Sequence, residues 1–433
     1  DGSAAGDYLA YDNQFDDNGV LYITYDTNSI GTDVLTDQST LDDPTADKIL
    51  VFYEGGENSG IFYNTDDDDD ANLMVNEYAK RGSSATFDYN DSAQSFVVAN
   101  DFGVITMDAS SVGDEWNSGE ALTVTLLDQD LNKNTASEDD LAISNTTRTH
   151  IIPSLQIGEP LSVTTSGDDV EGVSSFSKIA YYTNASTSST LRSGVAANYS
   201  IVTGYTGTQL DAIDTVNTYF NWDFSSFANA TNPVADVCLV NSSNAHLACA
   251  TMPNASLTGT GKASGIVELS STGSATSHNT MSGDLRVEVL MTIENGAGMG
   301  TDTSLPFVAD IFSYGGDGTN NAIYRILLEE TDDNSGAFEG TIEYTMLNQL
   351  NVDDNNLYAG LATIDSDIDV IVEQDMTDED SLRVNFYDLG ADGVSTQIAD
   401  QVEAPTHSGV VSLDLDNYKI ADTVVVTLDD QDM

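Results

Sequence analysis

The chain has few basic residues, few cysteines and few prolines for its length. Only 12 of its 433 residues are Lys or Arg, against 72 Asp and Glu, which gives a formal net charge of −60. Nucleic-acid binding and docking on anionic lipid both need clustered Lys and Arg, so this composition excludes both. The 7 prolines and 34 glycines exclude a collagen-like or proline-rich chain. No apolar run reaches the ~18 residues of a membrane-spanning helix, so the sequence predicts no membrane span.

The sequence also lacks the motifs of common catalytic sites. Its 4 histidines are scattered through polar segments without metal-ligand spacing. There is no His-Glu-x-x-His, no Gly-x-Ser-x-Gly and no phosphate-binding glycine loop. The 72 acidic residues form so many pairs that none of them singles out a glycosidase site. We therefore predict that the chain is not an enzyme and has no catalytic residues.

The acidity itself indicates an environment. Like charges on a compact chain repel one another at low ionic strength, so we expect saline surroundings or a surface neutralised by bound cations. With 40% hydrophobic residues the chain can still form packed cores, unlike a disordered acidic tail. The sequence starts at Asp1 rather than Met, which we interpret as a removed leader or a fragment.

Short strands between turn signals dominate the pattern. Segments such as 19–25, 121–127 and 423–428 are rich in Val, Ile, Leu, Thr and Tyr and are bounded by Asp, Asn, Gly and Ser. Their regular spacing predicts an all-β protein built of stacked β-sandwiches. Helical patterns are scarce, and we expect helices only at 208–221 and 71–80.

The two cysteines, Cys238 and Cys249, flank a polar turn. Short apolar runs lead into and out of this turn, so folding them as a hairpin places the cysteines opposite each other, where a cross-strand disulfide is geometrically reasonable. Two buried free thiols are the alternative. A disulfide would indicate an oxidising, extracytoplasmic location.

Three sequence matches in the same order indicate an internal repeat. The matched ranges are 50–62 with 326–338, 103–108 with 409–414, and 124–130 with 426–432. The first pair shares an apolar strand, an acidic stretch, Asn-Ser-Gly, one small or apolar residue and Phe, which we call the Asn-Ser-Gly motif. Segments 19–134 and 283–433 are therefore interpreted as copies of one module.

The repeat predicts four domains. They are 1–118, a sandwich module; 119–282, a module whose second half is rich in Ser and Thr and carries the cysteines; 283–419, the repeat of the first; and 420–433, the start of a further module in a longer protein. Candidate glycosylation sites are the Asn-x-Ser/Thr sequons, although composition alone accounts for their number. These sequons are Asn90, Asn145, Asn184, Asn198, Asn229, Asn241 and Asn254.

Cation binding is the chemistry that the acidic turns favour. Residues 128–134 place side-chain oxygens at every second position after a strand, and hard cations such as Ca²⁺ bind six to eight oxygens. The loop is not an EF-hand, because Lys133 stands where that loop requires Gly. Solvated acidic turns are the alternative. The predicted metal ligands are Asp128, Asp130, Asn132, Asn134, Asp139, Asp66, Asp67, Asp68, Asp69, Asp70, Asp430 and Asp432.

Residues 364–373 alternate between apolar and acidic side chains. The period of two predicts a strand with Ile368 and Val370 on its inner face and Asp367 and Asp369 on its outer face. For the surface as a whole, this bias predicts a negative wall that concentrates cations.

The two kinds of turn resemble those of archaeal surface-layer proteins, most closely those of ammonia-oxidising archaea. The resemblance covers 19–134 and 283–433 and rests on the strand that runs into the Asp-x-Asp-Leu-Asn turn at 124–132 and on the Asn-Ser-Gly motif. Gln129 and Gln431 depart from it, because Pro is expected at this position of the turn.

The resemblance implies tandem immunoglobulin-like β-sandwich domains and a structural function. The chain would be a subunit of an acidic extracellular surface lattice, an S-layer, in which copies of itself are the partners and Ca²⁺ or other divalent cations are structural. Attached glycans and the concentration of cations such as ammonium at the cell surface are further expectations. The alternative is a Ca²⁺-dependent adhesin or filament subunit built of similar domains, and an extracellular hydrolase with accessory β-domains ranks third.

Overall fold

The fold is seen in a computed structural model of the chain. The residues that it describes are 9–11, 20–24, 35–37, 49–56, 58–65, 73–75, 79, 82–89, 92–99, 101–113, 115–135, 137–143, 152–162, 170–171, 180–183, 197–202, 217–223, 225, 231–240, 246–251, 264–268, 286–294, 304–315, 318–377, 380–390 and 394–433. Strands dominate these ranges, which confirms the all-β prediction.

Helical structure is limited to two short elements in the described residues. Helix α1 (Asn355–Ala359) begins where the side chain of Asp354 accepts a hydrogen bond from the N–H of Asn356. A 3-10 turn spans Ala109–Ser111. Neither element has the length and hydropathy that crossing a membrane requires.

One compact unit comprises Asp1–Phe102 and Leu389–Ser395. Its strands are β1 (Leu9–Tyr11), β2 (Val20–Thr24), β3 (Leu35–Asp37), β4 (Ile49–Glu54), β5 (Phe62–Tyr63), β6 (Leu73–Val75), β7 (Ser84–Tyr89) and β8 (Ser92–Val97). Strands β1, β2, β4 and β5 form an antiparallel sheet in that order, while β3 pairs with β6 and β7 with β8. The helix predicted at 71–80 is wrong at 73–75, where β6 pairs with β3.

The second compact unit comprises Gly103–Asp388 and Thr396–Met433. Its strands are β9 (Val104–Asp108), β10 (Leu122–Leu127), β11 (Asp140–Leu141), β12 (Ser154–Ile157), β13 (Leu161–Ser162), β14 (Val170–Glu171), β15 (Ala180–Thr183), β16 (Ala197–Val202), β17 (Asn217–Asp223), β18 (Thr231–Val240), β19 (His246–Thr251), β20 (Ser264–Glu268), β21 (Arg286–Glu294), β22 (Ser304–Gly315), β23 (Gly318–Ile326), β24 (Leu328–Glu330), β25 (Ala337–Met346), β26 (Ile364–Asp365), β27 (Asp367–Val372), β28 (Leu382–Leu389), β29 (Ser395–Val402), β30 (Val410–Leu413) and β31 (Val426–Asp429).

A six-stranded sheet positions the acidic turn. Its order is β11-β24-β25-β10-β9, and β27 lies parallel to β25. Strands β9 and β10, which we call the central hairpin, pair with each other, and β10 pairs with β25 on its other edge. Along β10, Leu122, Val124 and Leu126 are fully buried, because alternate side chains of a strand point to one face. Strands from the predicted modules 1–118, 119–282 and 283–419 thus share one sheet, and the module boundaries stay a prediction.

An eleven-stranded sheet lies in the same unit. Its main order is β14-β15-β22-β23-β12-β28-β29, and β13, β17, β20 and β26 pair beside this path. Strand β17 covers part of the helix predicted at 208–221, so that prediction is wrong at 217–221, where pairing with β20 and β22 overrides the helical spacing. A single apolar core joins residues of both sheets, including Ile105, Leu126, Phe338, Leu155, Tyr324 and Val384.

Strands β16, β21, β18 and β19 form a further four-stranded antiparallel sheet. In the β18–β19 pair, Cys238 lies directly opposite Cys249. This is the backbone register that the predicted disulfide requires, and the disulfide itself stays a prediction.

Strands β30 and β31 form a separate two-stranded sheet, which we call the terminal hairpin. All residues of both strands are exposed. A two-stranded hairpin with no packed face is marginally stable in water, so this pair has the character of an incomplete sheet.

Candidate functional site

The acidic turn at 128–134 follows β10 directly. Asp128 is buried, and its Oδ1 accepts a hydrogen bond from the N–H of Asp130 at 2.9 Å. The carbonyl of Asp128 accepts from the N–H of Leu131 at 3.2 Å. This arrangement is a turn closed by its own leading aspartate, which explains why Asp follows the strand at this position.

Two buried carboxylates stabilise the turn by accepting hydrogen bonds from backbone N–H groups. Asp139 is buried, and its Oδ2 accepts hydrogen bonds from the backbone N–H groups of Lys133 and Asn134. Glu330 is also buried, and its Oε2 accepts from the N–H of Asp139 at 3.0 Å. Buried carboxylates are stable when backbone donors satisfy them, so these two acids hold the loop in shape.

The acidic turn docks on the Asn-Ser-Gly motif that precedes β25. Nε2 of Gln129 donates to the carbonyl of Ser335 at 2.6 Å, and Nδ2 of Asn132 donates to Oδ1 of Asn334 at 2.7 Å. The N–H of Asp128 donates to the carbonyl of Gly336 at 2.9 Å. Both motifs were recognised in the sequence as separate turns, and the structure brings them together.

Glycine is required at Gly336 by this docking. Its φ is +60°, in the left-handed region, and a Cβ there would lie 2.4 Å from Nε2 of Gln129. The side chain of Gln129 therefore lies directly over the glycine. Pro at 129 would have no side-chain donor for the Ser335 carbonyl, which gives a physical reason for Gln at this position.

The predicted metal ligands around this turn engage the protein itself. Nδ2 of Asn134 donates to Oγ of Ser137, and oxygens of Asp128 and Asp139 accept backbone N–H groups. Among the described residues, no group of three or more His, Cys, Asp or Glu side chains is placed to hold a metal ion. The run 66–70 lies outside the described residues. The metal set as a whole stays a prediction.

The counterpart turn near the end of the chain has a different neighbour. Oδ1 of Asp430 accepts from the N–H of Asp432 at 3.1 Å, as Asp128 does from Asp130. Asp432 in turn accepts from the N–H of His407, and Nδ1 of His407 lies 3.0 Å from its Oδ1. The hydrogen bond to Asp432 raises the pKa of His407, and the charge of Glu115 adds to the effect.

Strands β25 and β27 carry a row of carboxylates on their outer face. Ile368 and Val370 are buried and Asp367 is exposed, as predicted, but Ile371 and Val372 are also buried, so the alternation ends at Val370. Glu343 lies directly opposite Asp369 in the parallel pair. Partial burial raises the pKa of both groups, and the charge of Asp369 further raises that of Glu343. The parallel pair therefore places two half-buried carboxylates side by side.

The structure contains a buried ion pair that the sequence analysis did not predict. Arg325 on β23 and Asp310 on β22 are each 1% exposed and form a salt bridge. Nearby on β17, burial raises the pKa of Asp223. The sequence does contain a signal for this pair: each of the apolar runs 306–314 and 322–328 holds a single charged residue. A charge that is buried in such a run needs an oppositely charged partner.

Most of the predicted glycosylation sites lie outside the described residues. Asn198 is the exception: it lies in β16, opposite Thr292 of β21. The others are Asn90, Asn145, Asn184, Asn229, Asn241 and Asn254.

Comparison of the chain with protein-family models gave no match, and comparison with curated protein sequences gave none either.

Proposed function

We propose that the chain is a non-enzymatic structural subunit of an acidic extracellular surface lattice, stabilised by Ca²⁺ or other divalent cations. The observation that carries this proposal is the docking of the acidic turn on the Asn-Ser-Gly motif, because both partners occur twice in the chain. A protein that repeats its joining elements is suited to building an extended array from similar units.

We also propose that the domains are immunoglobulin-like sandwiches. The single core shared by the six-stranded and eleven-stranded sheets supports a sandwich, since two sheets that pack face to face bury their inner side chains together. Antiparallel pairing throughout most of both sheets agrees with this architecture.

The charge supports a role for cations. A net charge of −60 repels itself, and Glu343 and Asp369 are two carboxylates that lie opposite each other within one sheet. Oxygen-rich acidic surfaces match the ligand preference of Ca²⁺. Bound divalent cations would relieve the repulsion and link acidic surfaces, and the same surface would concentrate cations such as ammonium.

A filament or adhesin subunit is the second candidate. The exposed apolar side chains of the terminal hairpin favour it, because an exposed hairpin joins units along one line. In this case copies would form fibres rather than planar arrays.

Electron microscopy of the protein at marine salt tests the proposal. The protein is imaged with millimolar Ca²⁺, then with a chelator, and then in NaCl matched for ionic strength, which separates cation binding from charge screening. Flat arrays that need Ca²⁺ support the lattice. Fibres support the second candidate, and separate particles under all three conditions contradict both.

A further inference from the structure

The terminal hairpin repeats the central hairpin in its strand register. Residues 103–108 match 409–414 in sequence, and 124–130 match 426–432. The pairings follow the same correspondence: Ile105↔Leu126 and Met107↔Val124 in the central hairpin, Val411↔Leu428 and Leu413↔Val426 in the terminal hairpin. The two hairpins are therefore two copies of one structural element.

The two hairpins differ in what covers them. In the central hairpin the inward positions are buried, at 5% for Ile105 and 0% for Leu126. The equivalent Val411 and Leu428 are 65% and 55% exposed. Position 104 and its equivalent 410 are exposed in both copies, at 53% and 62%, so the difference is confined to the inward face.

The strand that receives the central hairpin also has a second copy. Strands β24 and β25 pair with Glu330 opposite Phe338, and β4 and β5 pair with Glu54 opposite Phe62. Oε1 of the glutamate accepts from the motif glycine in each case, at 2.8 Å from Gly336 and 2.7 Å from Gly60. Both glycines have left-handed φ, +60° and +65°.

Among the residues that the structure describes, no partner covers the first copy of this strand, β5. Phe338 is 0% exposed, whereas Phe62 is 37% exposed and Tyr63 is 54% exposed. A Cβ on Gly336 would collide with Gln129, whereas a Cβ on Gly60 would meet nothing within 4 Å. The place that Gln129 fills over Gly336 is open over Gly60, and the side chain of Gln431, the counterpart of Gln129, is exposed.

Strands β2, β4 and β5 together with the terminal hairpin correspond to the main path of the six-stranded sheet. The complete order is β11-β24-β25-β10-β9, and β2-β4-β5 corresponds to its first three strands. Strands β31 and β30 correspond to its last two. Placing β31 beside β5 restores this order of five strands and gives the edges of β31 and β5 the pairing that β10 and β25 show.

We propose that the terminal hairpin of one chain binds beside β5 of a second copy of the chain, so that the copies join head to tail. The pairing reproduces that of β10 with β25, which places Thr427 opposite Tyr63 and Leu428 opposite Phe62. Strand addition of this kind supplies backbone hydrogen bonds along the edge and brings Leu428 and Phe62 into a cross-strand pair on one face. The inference rests on the self-assembly that the proposed lattice and the second candidate share, because head-to-tail joining forms the rows of an array or a fibre.

Disulfide trapping tests the register directly in the 433-residue chain. Tyr63→Cys with Thr427→Cys places a cysteine pair directly opposite, since the equivalent Thr125 and Glu339 are paired in the complete sheet. The matched control, Tyr63→Cys with Leu428→Cys, is shifted by one residue and points the two side chains to opposite faces. We expect a ladder of covalent multimers from the first pair, at about ten times the yield of the control. Equal yields, or a crosslink within one chain, would overturn the proposal.

Two neighbouring valines provide a second measurement that needs no cysteine. Val411→Asp places a charge beside Leu428, on the face where Leu428 would meet Phe62 of the second copy, whereas Val410→Asp changes a residue whose equivalent, Val104, stays exposed in the complete sheet. We expect Val411→Asp to weaken self-association in sedimentation by about tenfold or more and Val410→Asp to change it less than about twofold. The reverse order, or equal effects, contradicts the inference.

These readouts separate the inference from the proposed function. If copies crosslink in register and yet form no array in the microscope, the lattice is wrong and the joining mechanism stands. If arrays form and Val411→Asp leaves them intact, the joining mechanism is wrong and the lattice stands.

Discussion

The central and terminal hairpins have matching sequences and the same register, and they differ only in what lies next to them. In both, a glycine precedes the first strand beside the aspartate that follows the second: a Cβ on Gly103 or Gly409 would approach Oδ2 of Asp128 or Asp430 at 3.2 Å and 2.7 Å. Local sequence therefore determines the hairpin, its turn and its pairing. Burial is determined by residues far away in the chain: β25 pairs with β10, and residues of the eleven-stranded sheet share the core that covers the inward face.

The largest expected difference between the hairpins concerns their inward leucines. Leu126→Ala should destabilise the protein by about 2–5 kcal/mol, because it leaves a cavity in the core. Leu428→Ala should cost less than about 0.5 kcal/mol, since that side chain is exposed. Thermal unfolding followed by circular dichroism, at a concentration where the chain is monomeric, measures both. Equal losses would show that the terminal hairpin is packed within the single chain.

The two motif glycines give the next largest difference. Gly60→Ala should cost about 1–2 kcal/mol because its backbone is left-handed. Gly336→Ala should cost about 1 kcal/mol more, because the new Cβ displaces Gln129 from the Ser335 carbonyl. The excess should disappear in a background that already carries Gln129→Ala. Identical losses at the two glycines would contradict the docking of the turn on the motif.

The glutamines themselves give a smaller difference. Gln129→Ala removes one exposed hydrogen bond and should cost about 0.5–1 kcal/mol. Gln431→Ala should leave the monomeric chain unchanged and weaken its self-association instead. Denaturant unfolding and sedimentation of the same two variants test this, and a stability loss at Gln431 would count against it.

The smallest expected effect is a pH dependence confined to the terminal turn. Asp432 raises the pKa of His407 above its ordinary value of 6.5. The stabilisation from this pair is therefore complete below pH 6.5 and is lost as the pH rises through the raised pKa. Hydrogen exchange of residues 405–432 should quicken over that range. His407→Gln should abolish the pH dependence, and exchange that slows with rising pH, after correction for its intrinsic rate, would contradict the assignment.

The local features of the fold could be predicted from the sequence. The strands, the alternation around Ile368 and the repeat all follow from residue type and spacing over a few positions. The helix predicted at 208–221 is wrong at 217–221. Strand β17 (Asn217–Asp223) is stabilised by pairing with β20 and β22, and the spacing of its own apolar residues does not reveal that pairing.

The long-range features of the site could not be predicted in the same way. The turn at 128–134 and the motif at Asn334 are separated by about two hundred residues, and no periodicity within either segment specifies the other. For the same reason Asp310 cannot be identified as the partner of Arg325 before the pairing of β22 with β23 is known.

The two surfaces that we propose to join are unlike each other: one is a hairpin and the other is the edge of β5. Two copies joined through them cannot be related by a two-fold axis, because each contributes a different surface to the contact. An array built in this way has polarity, with a free hairpin at one end of every row and a free edge at the other. Growth at the two ends would then proceed at different rates.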